Sequence, residues 1–189
     1  MLVIAGPPGS GKSSLYPVSS FGVPHFNADD RAAELNGGSY IGIPGETRRM
    51  VNREFEDFIL ASIQKRASFA IETTLRREAT FDQARTAKQA GYLVEMRYIA
   101  LENFRMHLER VKARADAGGH SASERTLRRI YESSLKNLRR AVQELDIVRV
   151  YDNTAIDASH PLVLEAQNGE ICFLVDHPPE WLKNALDLP

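Results

Sequence analysis

The strongest constraint in this chain is the run Gly6-Pro7-Pro8-Gly9-Ser10-Gly11-Lys12-Ser13, which satisfies G-x-x-x-x-G-K-[ST] without a gap or substitution. Before it stand the apolar residues 1–5, which read as a short buried strand, and after it residues that can continue as a helix. The residue types have a physical reason. Glycines let the backbone adopt conformations that a Cβ forbids, so successive N–H groups of Gly6, Gly9 and Gly11 and their neighbours can turn inward around a phosphate. Lys12 adds a mobile positive charge, and Ser13 offers a hydroxyl to Mg²⁺. The helix that starts near Lys12 points its positive end at the same anion. Pro7, Pro8, Ser10 and Ser14 complete the expected lining of the cradle. A chance glycine-rich turn would lack the strand and the helix that this mechanism needs.

The rest of the composition is that of an ordinary soluble globule, and 189 residues suit a single domain over 1–189. With 24 basic and 25 acidic side chains, general attraction to nucleic acid or to an anionic membrane is not expected. Phosphate binding must therefore come from local geometry. The single cysteine, Cys172, excludes an internal disulfide and a cysteine-built metal site. It lies in the apolar run 171–175 and reads as a buried small hydrophobe. No run approaches membrane-spanning length and no basic leader precedes the first strand, so a cytoplasmic location is expected.

Beyond the first helix, residues 23–27 read as a second strand delivering Asn27-Ala28-Asp29-Asp30 to its carboxyl end, where ligands sit in an open α/β sheet. Asp29 or Asp30 either accepts the proton of an attacking hydroxyl or caps a helix beginning at Arg31. Residues 35–45, with four glycines and a proline, predict a loop over the site. A helix follows over about 47–66, then a strand at 69–71 ending in Glu72-Thr73-Thr74. Glu72 there either reaches the metal or its waters, or caps the strand end. A helix closed by Gly91, a fourth strand to Ala100, and two arginine-rich helices over about 102–145 come next. These two helices, hinged at Gly118-Gly119, have the make-up of a lid that closes cations over a phosphate. Residues 147–151 form a fifth strand. Asn168-Gly169 marks a hairpin, and Trp181 lies in a short helix expected to dock on the body, the tail spanning about 161–187. The fold class is thus α/β: five mostly parallel strands flanked by helices, plus a C-terminal β-hairpin.

Several of these features coincide in one family. The GPPGSGKS loop, Asn27-Ala28-Asp29, SFAIETTL at 68–75, Gly91-Tyr92, RVKAR at 110–114 followed by GGH at 118–120, SLKNL at 134–138 and YDNT at 151–154 resemble the zeta toxin family of P-loop kinases, above all its small stand-alone bacterial members. The resemblance implies a nucleotide-kinase-like P-loop fold and ATP-dependent phosphorylation, with Mg²⁺, of the sugar hydroxyl of UDP-N-acetylglucosamine or a similar nucleotide sugar. Asp29 then looks like the general base, and Lys12 and Ser13 like the phosphate and Mg²⁺ groups. Glu72, Thr73 and Thr74 resemble the metal or substrate edge. Arg110, Arg114 and an arginine from Arg128 or Arg129 resemble the γ-phosphate clamp. His120, beside the glycine hinge, is a further candidate, and the family implies a possible antitoxin partner. Two alternatives remain: a kinase of another small acceptor such as a nucleotide, dinucleotide or antibiotic, and an ATPase switch acting on a protein.

Overall fold

β1 (Leu2–Ala5) buries Val3, Ile4 and Ala5 completely, as an unbroken apolar run requires of a strand covered on both faces. The computed structural model describes residues 1–116, 122–155 and 161–189. After β1 come α1 (Lys12–Leu15), β2 (His25–Phe26), α2 (Ala28–Glu34), α3 (Gly45–Gln64), β3 (Ala70–Thr73), α4 (Ala79–Gln89), β4 (Glu95–Ala100) and α5 (Phe104–Asp116). The chain then runs through α6 (Glu124–Glu144), β5 (Ile147–Asp152), β6 (Leu162–Gln167), β7 (Glu170–Leu174) and α7 (Glu180–Leu186).

The sheet has the order β2-β3-β1-β4-β5-β6-β7. The first five strands are mutually parallel, matching the five read from sequence. The hairpin does not stand apart. β6 pairs antiparallel with β5 and β7 with β6, so the sheet grows to seven strands. Its turn has Asn168 at φ 50 and Gly169 at φ 88, two consecutive left-handed residues whose twist matches the flanking strands.

Register decides where chemistry can occur. Ile4 pairs with Glu72 and Ala5 with Thr73, while Phe26 pairs with Ile71. The chain leaving β1 into Gly6, the end of β3 at Glu72, and the step from β2 into Asn27 therefore meet at one edge. That edge is the carboxyl end of the parallel strands, where helix N-termini and irregular backbone converge.

Cys172 is exposed, which corrects the buried reading; all five residues of β7 are open to solvent. β7 is the outermost strand, and no described element covers it. Trp181 does dock: it is buried, and its Nε1–H donates to Asp152 Oδ2 at 2.9 Å. In α6 the stripe Leu127, Leu138, Val142 reaches the core, and Leu145 is buried just past the helix end. Arg139 pairs with Asp187, and Arg140 pairs with Glu78 while lying 4.1 Å over the Phe81 ring, so these two arginines tie α6 to its neighbours.

Candidate active site

The loop between β1 and α1 is shaped by close approaches that only glycine allows. Gly6 has φ 143, and a Cβ built on it would sit 2.1 Å from the Ile99 carbonyl oxygen. Gly11, at φ 92, caps α1 from the left-handed region, and a Cβ there would meet Asn153 Nδ2 at 2.2 Å. Lys12 is 7% exposed, with Nζ donating to the carbonyls of Gly6 at 2.9 Å and Pro7 at 3.2 Å. Burial lowers its pKa, Glu72 and Asp29 oppose that shift, and Arg114 adds to it. Ser13 Oγ donates to Glu72 Oε2 at 3.0 Å, and Lys12 Nζ lies 3.9 Å from Glu72 Oε1. Burial raises Glu72 above the usual carboxylate range, against the pull of Lys12 and Ser13.

These groups fit a nucleotide polyphosphate with a hard divalent cation. The N–H groups of Gly9, Gly11, Lys12 and Ser13 take no protein acceptor among the described residues, whereas Ser10 N–H is held by the Pro7 carbonyl at 3.2 Å. The Ser10 side chain is wholly buried and its Oγ has no partner among the described residues. Among the described residues no three His, Cys, Asp or Glu side chains form a metal cage. An ion at Ser13 and Glu72 would thus complete its shell with phosphate oxygens and water, as Mg²⁺ commonly does.

Capping of α2 falls to neither aspartate. Asn27 is the N-cap of α2: its Oδ1 accepts from Asp29 N–H at 3.0 Å and from Asp30 N–H at 3.4 Å. The helix starts at Ala28 rather than Arg31, so neither aspartate is the cap. The Asp29 carboxylate acts electrostatically on Lys12, Glu72 and Arg76 and has no hydrogen-bond partner among the described residues. Asp30 instead accepts from the hydroxyl of Tyr40 at 2.8 Å, so the glycine-rich loop folds back onto α2. Beside Ser13 and Glu72 opens a cavity of about 460 Å³, bounded by Pro17, Phe26, Asp30 and Arg31.

The expected arginine clamp is only partly assembled. Arg110 lies beside the loop, its Nη2–H donating to the Asn153 carbonyl at 2.9 Å, and Arg114 acts on Lys12 and Tyr40. Arg128 is engaged elsewhere: it pairs with Glu124 at 3.5 Å and its guanidinium lies 4.2 Å over the Phe104 ring. Arg129 acts on Arg76 from α6. Thr73 Oγ1 accepts from Leu75 N–H at 3.2 Å and lies 3.4 Å from Thr80 Oγ1, so its hydroxyl shapes the turn after β3. There Leu75, buried at φ 57, is held by Asn137 Nδ2 donating to its carbonyl at 2.8 Å. Thr74 is half-buried beside it. His120 and the Gly118-Gly119 hinge lie outside the described residues.

Residues 41–161 match the family model described as Zeta toxin. The chain belongs to the zeta toxin family. Solved structures agree on the fold. The PezAT chromosomal toxin–antitoxin system of Streptococcus pneumoniae gives a TM-score of 0.63 at 15% identity, over 87% of this chain and 71% of that one. The AvrRxo1-ORF1:-ORF2 complex with ATP gives 0.67 at 18% identity, over 90% of this chain and 59% of the other. An uncharacterised protein of Haemophilus influenzae is 33% identical over 63 residues, 33% of this chain and 45% of that protein. The chain thus spans less than half of that relative and under two thirds of the AvrRxo1 chain.

This zeta toxin family member also uses residues that motif reading passed over. His107, on α5, is 2% exposed; its Nε2 accepts from Leu101 N–H at 3.1 Å, and its Nδ1 lies 3.0 Å from the Pro8 carbonyl. The accepting Nε2 fixes the neutral tautomer with the proton on Nδ1, which donates to Pro8. A signal for it existed, because His107 interrupts the apolar stripe of Phe104, Leu108 and Val111. Asn153 lies inside the YDNT motif at 151–154 but has no role assigned there; its Nδ2 donates to the Ser10 carbonyl at 2.7 Å.

Burial holds the His107 pKa down to about 4 from its ordinary 6.5. The unfolded chain therefore takes up the proton first on acidification. Stability from this group is complete above about pH 6.5 and is lost as pH falls towards 4, by about 3 kcal/mol in all. Melting temperature measured across that window should fall in the wild type and fall less steeply in His107→Gln.

Proposed function

We propose that this chain is an ATP-dependent small-molecule kinase that transfers the γ-phosphoryl group to a sugar hydroxyl of a nucleotide sugar such as UDP-N-acetylglucosamine. One observation carries the reading. At one sheet edge the buried amine of Lys12 lies beside the Ser13–Glu72 pair, which lines a cavity of about 460 Å³, a size suited to a small ligand, and the Asp29 carboxylate acts electrostatically on both Lys12 and Glu72. ATP with Mg²⁺, when bound, supplies the transferable group and neutralises part of its charge.

The chain's own groups divide the work. The loop over residues 6–14 grips the phosphates through backbone N–H groups. Lys12 exchanges the Gly6 and Pro7 carbonyls for phosphate oxygens, at little cost because one set of acceptors replaces another. Ser13 and Glu72 hold the cation, with Thr73 and Thr74 at the same edge. Asp29 accepts the acceptor's hydroxyl proton. Arg110 and Arg114, with Arg128 or Arg129 from α6, stabilise charge spreading over the transferred group. Residues 102–145 act as the lid of a single kinase domain over 1–189, with His120 near its hinge. The PezAT relative is named as a toxin–antitoxin system, which supports a possible antitoxin partner for this chain as well. A cytoplasmic location fits the reading, and among the described residues no helix is long and apolar enough to cross a membrane.

The test is transfer from γ-labelled ATP to a panel of UDP-N-acetylglucosamine, other nucleotide sugars, nucleotides, dinucleotides and aminoglycosides. Label recovered on a nucleotide sugar is the expected result. Label on another member of the panel replaces the acceptor and keeps the chemistry. Hydrolysis with no transfer to any of them, stimulated by a protein instead, overturns the reading.

A further inference from the structure

The phosphate loop presents a problem of orientation that its glycines do not solve. Glycine widens the choice of backbone conformations without selecting one, so a loop rich in it must be told from outside which way its peptide planes face. In a trans peptide the C=O of one residue and the N–H of the next point in opposite directions. Fixing a carbonyl outward therefore fixes the following N–H inward.

Two carbonyls of the loop are held in this way, by side chains from different elements. Pro8 C=O accepts from His107 Nδ1 at 3.0 Å, and the N–H that follows is that of Gly9. Ser10 C=O accepts from Asn153 Nδ2 at 2.7 Å, and the N–H that follows is that of Gly11. Those two N–H groups are among the ones that take no protein acceptor among the described residues, while the N–H between them, on Ser10, is spent on Pro7. The alternation is free, spent, free.

Both anchors are themselves immobilised. His107 is locked at its other nitrogen by Leu101 N–H, 3.1 Å away in the segment that follows β4, and its ring stands 5.1 Å from that of Tyr131. Asn153 donates its backbone N–H to the Ala100 carbonyl at 2.9 Å, and its own carbonyl accepts from Arg110 Nη2 at 2.9 Å. Both are buried, at 2% and 6% exposure. Space is also used up: a Cβ on Gly9 would meet the His107 carbonyl oxygen at 2.5 Å, and one on Gly11 would meet Asn153 Nδ2 at 2.2 Å.

We propose that His107 and Asn153 are positioning residues for the phosphate loop, which hold the Pro8 and Ser10 carbonyls outward and thereby aim the N–H groups of Gly9 and Gly11 at the bound polyphosphate. The inference rests on reading residues 6–13 as an anion cradle. It goes further by assigning the cradle's shape to residues outside the motif. His107 also sits one turn before Arg110 on α5, so the helix carrying the phosphate-clamping arginines is the helix that sets the loop.

The test separates the two hydrogen bonds of His107. Asparagine places an amide N–H near the position of Nδ1 and loses the acceptor at Nε2. Glutamine places its amide oxygen near Nε2 and loses the donor to Pro8. Each removes one buried hydrogen bond, so a purely structural role predicts equal losses of melting temperature and of affinity. A positioning role predicts a split. By calorimetry with tripolyphosphate, which needs neither base nor sugar recognition, and with Mg²⁺–ATP, His107→Asn should bind within about threefold of wild type, and His107→Gln about tenfold more weakly. Asn153→Leu, which keeps the volume and removes the donor, should also lose about tenfold, and it carries the test alone if the His107 variants do not fold. Equal losses in the two His107 variants, or wild-type affinity in His107→Gln and Asn153→Leu, overturn the proposal. If wild type binds tripolyphosphate yet phosphorylates nothing, the kinase reading falls and these affinities still decide the role of the anchors. If wild type binds no polyphosphate, both fall.

Discussion

Asp29→Asn should lower phosphoryl transfer by about 10²- to 10⁴-fold, the usual contribution of a general base, while the dissociation constant for ATP stays within about threefold. Asparagine keeps the size of the side chain and cannot take a proton. Folding should be nearly indifferent to the change, because Asn27, not Asp29, caps α2. Binding should not suffer either. Asp29 raises the pKa of Lys12 by placing a negative charge near it, and removing that charge takes an anion away from the loop proposed to grip the phosphates. The measurement is steady-state transfer from labelled ATP alongside calorimetric ATP binding for the same preparation. Transfer at the wild-type rate would show that the proton goes elsewhere, with Asp30 the next candidate despite its hydrogen bond from Tyr40.

The largest stability effect should come from Gly6→Ala. At φ 143 the backbone is in a region that side chains rarely enter, and the added Cβ would lie 2.1 Å from a backbone oxygen of Ile99 in the central sheet. Neither partner can step aside, since Gly6 leaves β1 and Ile99 belongs to β4, which pairs with it. A cost of about 3–5 kcal/mol follows, or roughly a 10 °C loss of melting temperature for a domain of this size. Gly38→Ala is the control. Its φ of 84 is also left-handed, but nothing lies within 4 Å of the new Cβ, so only the backbone penalty of about 1 kcal/mol applies. Equal losses in the two variants would mean that the clash at Gly6 is relieved by a shift of the strand.

Much of the candidate site is legible in the sequence because its parts are contiguous in the chain. The loop at 6–13, the step from β2 into Asn27-Ala28-Asp29 and the end of β3 at Glu72 each follow a recognisable strand, and a parallel sheet brings its carboxyl ends together whatever the loops do. Capping was harder to read. Asn27, Asp29 and Asp30 all have oxygens that can accept from an N–H, and only the helix start at Ala28 decides that Asn27 does so. Cys172 misled for a different reason. The run 171–175 is as apolar as a core strand, but burial depends on what lies over a strand, and β7 is the last in the sheet. Arg128, which the resemblance offers with Arg129 as a clamp candidate, pairs with Glu124 and lies over the Phe104 ring, contacts that its place in the sequence does not announce.

By itself, the sequence determined the glycine-rich loop after β1, the parallel strands around it and the hairpin turn, because each depends on residues adjacent in the chain and on backbone preferences that travel with them. The tertiary structure alone decided which side chains hold the carbonyls of that loop. His107 reaches Pro8 across 99 positions and Asn153 reaches Ser10 across 143. No local pattern encodes such a contact, since a single hydrogen bond between distant segments is fixed only once the sheet's strand order has brought β1, β4 and β5 side by side.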